Sequence, residues 1–325
     1  MKRVFAIAAA AALPFLAGAV TERYLQRRDD LLHPGLGSLV DIGDGRALHA
    51  RVMGEQHLGG PTVIFENGMS TPLETWDWVQ TAVAEFAATV SYDRAGLGWS
   101  PAGPSPRTAE RTTEDLSRLL HALGVPGPYV LVGHSYGGLL VRHFADRHRH
   151  RVAGLVLVDS AHPDQFSRST RQRQSLRMMV SSTGEHARWS RFGFPRLNAE
   201  RLIRPVVTPL QEPAASTAFA RMRSSHNWRG AEAETTAWLS SVNDEVRSTS
   251  VGPNCALAVI TAGAMAEKDP VHGQLQAELA CLAPRGRHEV VDGAGHIELV
   301  TNFDHAQAVA KVIEDVVREA REERT

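Results

Sequence analysis

The chain has 325 residues, 43% hydrophobic and 22% charged, with 27 glycines and 17 prolines. That is globular composition with length enough for a large core, and it excludes a disordered, collagen-like or low-complexity protein. A formal net charge of −1 offers no electrostatic case for nucleic acid, and two cysteines, Cys255 and Cys281, exclude a cysteine-rich zinc module or a disulfide-dense scaffold.

Met1-Lys2-Arg3 is a short basic start, followed by 17 uncharged residues, Val4 to Val20. Ala17-Gly18-Ala19 fits a small-x-small cleavage site. The pattern directs the chain into export, with the folded part outside the cytoplasm. Residues 1–19 are then either a signal peptide, which releases a chain from Val20, or an uncleaved membrane anchor. Pro14 interrupts the run, whose length is at the short limit for a span, and both readings stay open. Export would permit one Cys255–Cys281 bridge. Residues 20–37, charged and then Pro/Gly-containing, read as a linker.

From Ser38 the chain alternates. Ser38 to Ile42 and Ala47 to Met53 flank Gly43-Asp44-Gly45, a hairpin signal. Strands are expected at Thr62 to Phe65, Ala88 to Tyr92, Tyr129 to Val132, Leu155 to Val158, Leu257 to Ile260 and Val290-Val291. Helical stripes fall at Trp76 to Ala87, Thr108 to Leu123, from Leu139 and at Ala306 to Val317. Strands alternating with helices imply an α/β fold, with a mostly parallel sheet covered on both faces. Residues 162–251 break the rhythm and read as a helical insertion after the sixth strand, between core segments 38–161 and 252–325. Its first part is basic, with nine arginines between Gln165 and Arg204, which reads as a solvated face.

The chemistry concentrates in Gly133-His134-Ser135-Tyr136-Gly137-Gly138, which follows an apolar strand and opens a helix. A serine on so sharp a turn needs neighbours without side chains two residues before and after, and Gly133 and Gly137 meet that need. A serine hydroxyl also needs a base. Of 15 histidines, His296 stands out, on a glycine-rich loop between the last strand and the last helix. The base needs a carboxylate, and the chain order for this architecture is Ser, acid, His. Asp269, 27 residues before His296, is the expected acid, and Asp159, ending the sixth strand, is its rival. The N–H groups of Tyr136 and Met69 are the expected oxyanion donors. Asp93 to Ser100 reads as a turn pinned by local pairing of Asp93 with Arg94.

In these motifs the sequence resembles the α/β-hydrolase superfamily, in the branch of lidded serine hydrolases of esterase and lipase type. Asn67-Gly68, Tyr92 to Ser100, the Ser135 elbow and Gly295-His296 match in order, and the resemblance covers roughly Ser38 to Val317. It implies a cap where the insertion lies. Many members carry His-Gly where this chain has Asn67-Gly68. The expected activity is cleavage of a carboxylic ester through an acyl-serine, without metal or organic cofactor, on a small or lipid-like substrate. Serine argues against the superfamily's epoxide hydrolases and haloalkane dehalogenases, which use an aspartate nucleophile. Acyl transfer and cofactor-free perhydrolysis use the same residues and stay open, as does a binding protein on the same scaffold.

Overall fold

A computed structural model describes residues 2–322 apart from residue 58, with residues 2–12 and Gln56 described by backbone alone. Eight strands form one sheet: β1 (Ser38–Gly43), β2 (Arg46–Met53), β3 (Thr62–Glu66), β4 (Thr89–Tyr92), β5 (Tyr129–His134), β6 (Val152–Val158), β7 (Ala256–Ala262) and β8 (Arg287–Val291). Their order across the sheet is β1-β2-β4-β3-β5-β6-β7-β8. The β1–β2 hairpin is antiparallel, as is β2 on β4, and every pair from β4 to β8 is parallel.

The central strands are continuous apolar runs because helices cover both faces. On one face the closing helix Phe303–Glu322 lays Val309, Ile313, Val316 and Val317 against Val130, Val156 and Ala258. On the other, Leu116, Leu119 and Leu120 of helix Ala109–Ala122 join Val141 and Phe144 of the elbow helix Tyr136–Arg147 against Leu131, Leu155 and Leu257. Thr108 caps the first of these helices, its side chain accepting from the Arg111 N–H at 3.2 Å. Burying one such leucine stabilises by about 1.5–3 kcal/mol.

Between β6 and β7 the chain leaves the sheet and builds the helical cap. Its long helix Thr170–Ser190 packs against Ser225–Ala237. The insertion expected from the loss of strand rhythm is present in this place.

Two expectations are corrected. Residues 20–37 are not a linker up to Leu32: a single helix spans Lys2–Leu32. Two of its carboxylates, Glu22 and Asp29, are buried against the cap, where Arg196 pairs with Glu22 at 2.5 Å and with Asp29 at 2.7 Å. Arg223 pairs with Asp29 at 2.8 Å, and Arg221 with Asp30 at 2.5 Å. Phe15 packs on Trp189 and Phe192, and a Cβ at Gly18 would meet the Phe192 carbonyl at 2.8 Å. Charge made the segment look solvated, but its partners lie far along the chain. Among the described residues, no helix is long and apolar enough to cross a membrane. The second correction concerns Cys255 and Cys281, which are both free, one buried and one exposed. Burial pushes the Cys255 thiol up to about 12.

Candidate active site

β5 ends in the turn that carries Ser135. Its backbone has φ 54° and ψ −122°, a region costly for a residue with a side chain. The surrounding glycines make the turn possible. A Cβ at Gly133 would lie 2.7 Å from the Gly137 carbonyl oxygen, and one at Gly137 would lie 2.4 Å from that of Glu66. Two backbone bonds lock the elbow to the end of β6: Ser135 N–H donates to the Val158 carbonyl at 3.0 Å, and Ala161 N–H donates to the Ser135 carbonyl at 2.8 Å.

That lock places Asp159 beside the elbow. Asp159 is buried, with φ 42°, and its Oδ2 is 2.5 Å from His296 Nδ1. Its Oδ1 accepts from the Ala262 N–H at 2.9 Å and lies 2.8 Å from His272 Nε2. Burial works against a charged Asp159, but hydrogen bonds from His272 and His296 outweigh it and hold the carboxyl well below the usual range. Burial also opposes charge on His272, and Asp159 overcomes it, raising that imidazole.

Asp269, the expected acid, is placed elsewhere. The chain after β7 turns at once into a helical turn, Gly263–Lys268, and Asp269 precedes helix Pro270–Ala280. There its Oδ2 accepts from Ser169 Oγ of the cap at 2.6 Å. The carboxylate against His296 is thus Asp159, because a strand end next to the elbow reaches the histidine more directly than a long loop does.

His296 keeps 38% of its side chain exposed. With Ser135, Met69 and Asp159 it lines a cavity of about 370 Å³ between sheet and cap. Tyr136 opens the elbow helix, so its N–H lies in the first turn, where no intrahelical acceptor exists. Tyr136's side chain is buried against Trp238.

The loop bearing Met69 is held by residues not foreseen in this role. Arg94 donates to Glu66 at 2.7 Å, to the carbonyls of Asn67 and Gly68 at 2.7 and 2.8 Å, and to Glu234 of the cap at 2.5 Å. Glu234 in turn accepts from the Ser70 N–H at 3.1 Å. Asn67 donates to the Tyr92 carbonyl at 2.8 Å and so faces the sheet. Arg94 is therefore not the partner of Asp93. Asp93 takes His49 Nδ1 at 2.8 Å and the N–H groups of Leu73 and Trp99, each at 2.8 Å.

His134 was also missed, although it lies inside the elbow motif. Burial, and then the neighbouring His296, push it down to about 3, so it is neutral. Its Nε2 is 3.0 Å from the His296 carbonyl, which can only accept, so that nitrogen carries the proton. His296 is thereby held by its backbone as well as by its ring. Among the described residues no cluster of side chains could hold a metal ion.

Residues 63–312 match the model of the alpha/beta hydrolase family. The uncharacterized protein YqjL of Bacillus subtilis (strain 168) is 33% identical over 153 residues, which are 46% of this chain and 59% of that protein. The chain thus spans less than two thirds of the length of the curated relatives it matches first. Among solved structures, the enol-lactonase of Burkholderia xenovorans LB400 is similar with a TM-score of 0.60 at 21% identity, covering 86% of this chain and 99% of that one. A thermophilic esterase from Thermogutta terrifontis is similar with a TM-score of 0.64 at 20% identity, covering 88% of this chain and 100% of that one. At such identities the structural likeness shows the fold alone.

Proposed function

Since the chain belongs to the alpha/beta hydrolase family, we propose that it hydrolyses a neutral carboxylic ester through an acyl-serine, with Ser135, His296 and Asp159 as the triad. One observation carries this reading: Asp159 Oδ2 sits 2.5 Å from His296 Nδ1, on a histidine that shares its cavity with Ser135. A carboxylate at Nδ1 keeps the proton there and leaves Nε2 as the base.

Ser135 attacks the carbonyl carbon while His296 Nε2 takes its proton. The oxyanion is held by the N–H groups of Tyr136 and Met69. His296 then returns the proton to the leaving oxygen, and the acyl-serine forms. Water, deprotonated by His296, attacks the acyl-serine and frees the acid. Asp159 stabilises the imidazolium at both stages. Asp269 is given no part in these steps.

The cavity lining supports a neutral substrate. Met69, Phe166, Leu176, Met179 and Trp238 form an apolar wall, Gln165, Gln172 and Ser175 add uncharged polar groups, and among the described residues no lysine or arginine lines it. An acyl chain fits the apolar wall, and a carboxylate substrate would lack a counter-charge.

The test is Ser135→Ala. It should lower turnover of p-nitrophenyl esters by about 10⁴-fold or more, and should abolish labelling by a fluorophosphonate. Undiminished turnover in folded mutant would remove Ser135 from the mechanism. Labelling with no turnover of any ester would point instead to acyl transfer, perhydrolysis or binding.

Export carries over as part of the proposal, supported by the basic start and the uncharged run Val4 to Val20. The packing of Phe15 and Gly18 on the cap favours an uncleaved segment. N-terminal sequencing of exported protein would reject that reading if the chain began at Val20.

A further inference from the structure

Asp159 has an imidazole on each oxygen. His296 takes Oδ2, and His272, buried in helix Pro270–Ala280, takes Oδ1. Oδ1 already accepts from the Ala262 N–H at 2.9 Å, so that oxygen has a partner without His272. On its other side, His272 Nδ1 lies 2.9 Å from Gln172 Nε2, on the first turn of the cap's long helix. Carboxylate oxygens only accept, so His272 Nε2 carries a proton and donates to Asp159, while Gln172 donates to Nδ1.

The Gln172 contact belongs to a wider seam. Ser169 and Gln172, three residues apart on the cap, meet Asp269 and His272, three residues apart on the core helix. Nearby, Arg168 forks onto Glu278 with distances of 2.6 and 2.8 Å. The cap is seated where the second imidazole of Asp159 is held.

We propose that His272 is a positioning residue that fixes Asp159 and divides its charge between two imidazoles, with Gln172 coupling that division to the seating of the cap. The proposal rests on the reading of Ser135, His296 and Asp159 as the triad. One carboxylate cannot fully stabilise two imidazolium ions. When His272 takes a proton it forms an ion pair with Asp159, and less negative charge is left to hold a proton on His296. The charged groups acting on His272 are Asp159 across the interface with β6 and Asp269 at the start of its own helix. The cap contributes neutral Gln172.

The experiment follows fluorophosphonate labelling of the full chain against pH, with ester kcat/KM and melting curves alongside. His272→Gln keeps an N–H donor and cannot titrate. Its plateau rate should stay near wild type while the acid limb moves up by about 1 pH unit, the low end of the effect of one adjacent opposite charge. His272→Phe removes the donor, and its plateau should fall about 10- to 100-fold, the rate equivalent of one hydrogen bond to a charged group. Gln172→Ala removes the donor that favours an unprotonated Nδ1, so His272 charges more readily and the acid limb should move in the opposite direction to that of His272→Gln, by less. Wild-type limbs in His272→Gln and Gln172→Ala would overturn the proposal, whatever the stability of His272→Phe. A failed ester reading looks different: labelling retains its pH profile while ester turnover is absent.

Discussion

Two buried aspartates, each facing a histidine, lie at the ends of neighbouring regions of the sheet. Asp93, after β4, meets His49 Nδ1 at 2.8 Å, and Asp159, after β6, meets His296 Nδ1 at 2.5 Å. Both carboxylates also accept backbone N–H groups. The difference lies at the far nitrogen. His49 Nε2 accepts from the Gly37 N–H at 3.0 Å, and its side chain is only 3% exposed. His296 is more than a third exposed and opens on the cavity that holds Ser135. An aspartate–histidine pair is thus a chemical unit only when the outer nitrogen is left for another molecule; closed by backbone, the same pair is a rivet.

The largest expected effect breaks the pair that is open. Asp159→Asn keeps shape but offers an amide N–H where a proton must be accepted, and kcat should drop by about 10⁴, as for this exchange in the serine-protease template. Ester kinetics on protein with a cooperative melt would check it, and retained turnover would remove Asp159 from the triad. Asp93→Asn tests the closed pair. It should lower the melting temperature by about 5 °C or more, through weakened hydrogen bonds to a buried charge, while leaving kcat within a few-fold. Loss of turnover at an unchanged melting point would undo the contrast between the two pairs. Asp269→Asn should change kcat by about threefold or less, since Asp269 meets Ser169 and not the base.

The smallest effect sharpens the closed pair further. Glu74 is wholly buried beside it; burial, then Asp93, push its carboxyl up to about 7 from 4.5. A raised folded value means that the folded state binds the proton more tightly. Its stabilising contribution is complete below about pH 4.5 and is lost as pH rises through 7. Wild-type melting temperature should therefore fall between pH 5 and 8 more steeply than that of Glu74→Gln. Parallel profiles would mean that Glu74 does not titrate in this range.

The elbow was legible because its constraint is local: Gly133 and Gly137 are dictated by backbone atoms within the turn and from the adjoining strand. His296 followed from chain order between the last strand and the closing helix. The acid did not follow, because two strands each precede an aspartate. The choice depends on whether residues 263–268 coil into a helical turn, which spacing alone does not reveal. The N-terminal helix was read as linker for a related reason. Glu22 and Asp29 look solvated until Arg196 and Arg223, well over a hundred residues away, are placed against them. Arg94 was noticed within its motif, yet its partners Glu66 and Glu234 come from the neighbouring strand β3 and from the cap.

The position of Asp159 also bears on how such enzymes change over time. It stands immediately after the last residue of β6, and the first helical turn of the cap opens at Gln165. On the proposed triad, the insertion therefore begins beside a residue of the chemistry itself. A lineage, or an engineer, that replaced the whole insertion to gain a new specificity would have to preserve the turn through Ser160 and Ala161, whose backbone ties the acid's loop to Ser135. The loop after β7 carries no member of the proposed triad, so insertions there are constrained by its packing against the cap and by keeping His272 against Asp159. Variation should accumulate more readily after β7 than at the root of the cap, the reverse of what an acid at Asp269 would have imposed.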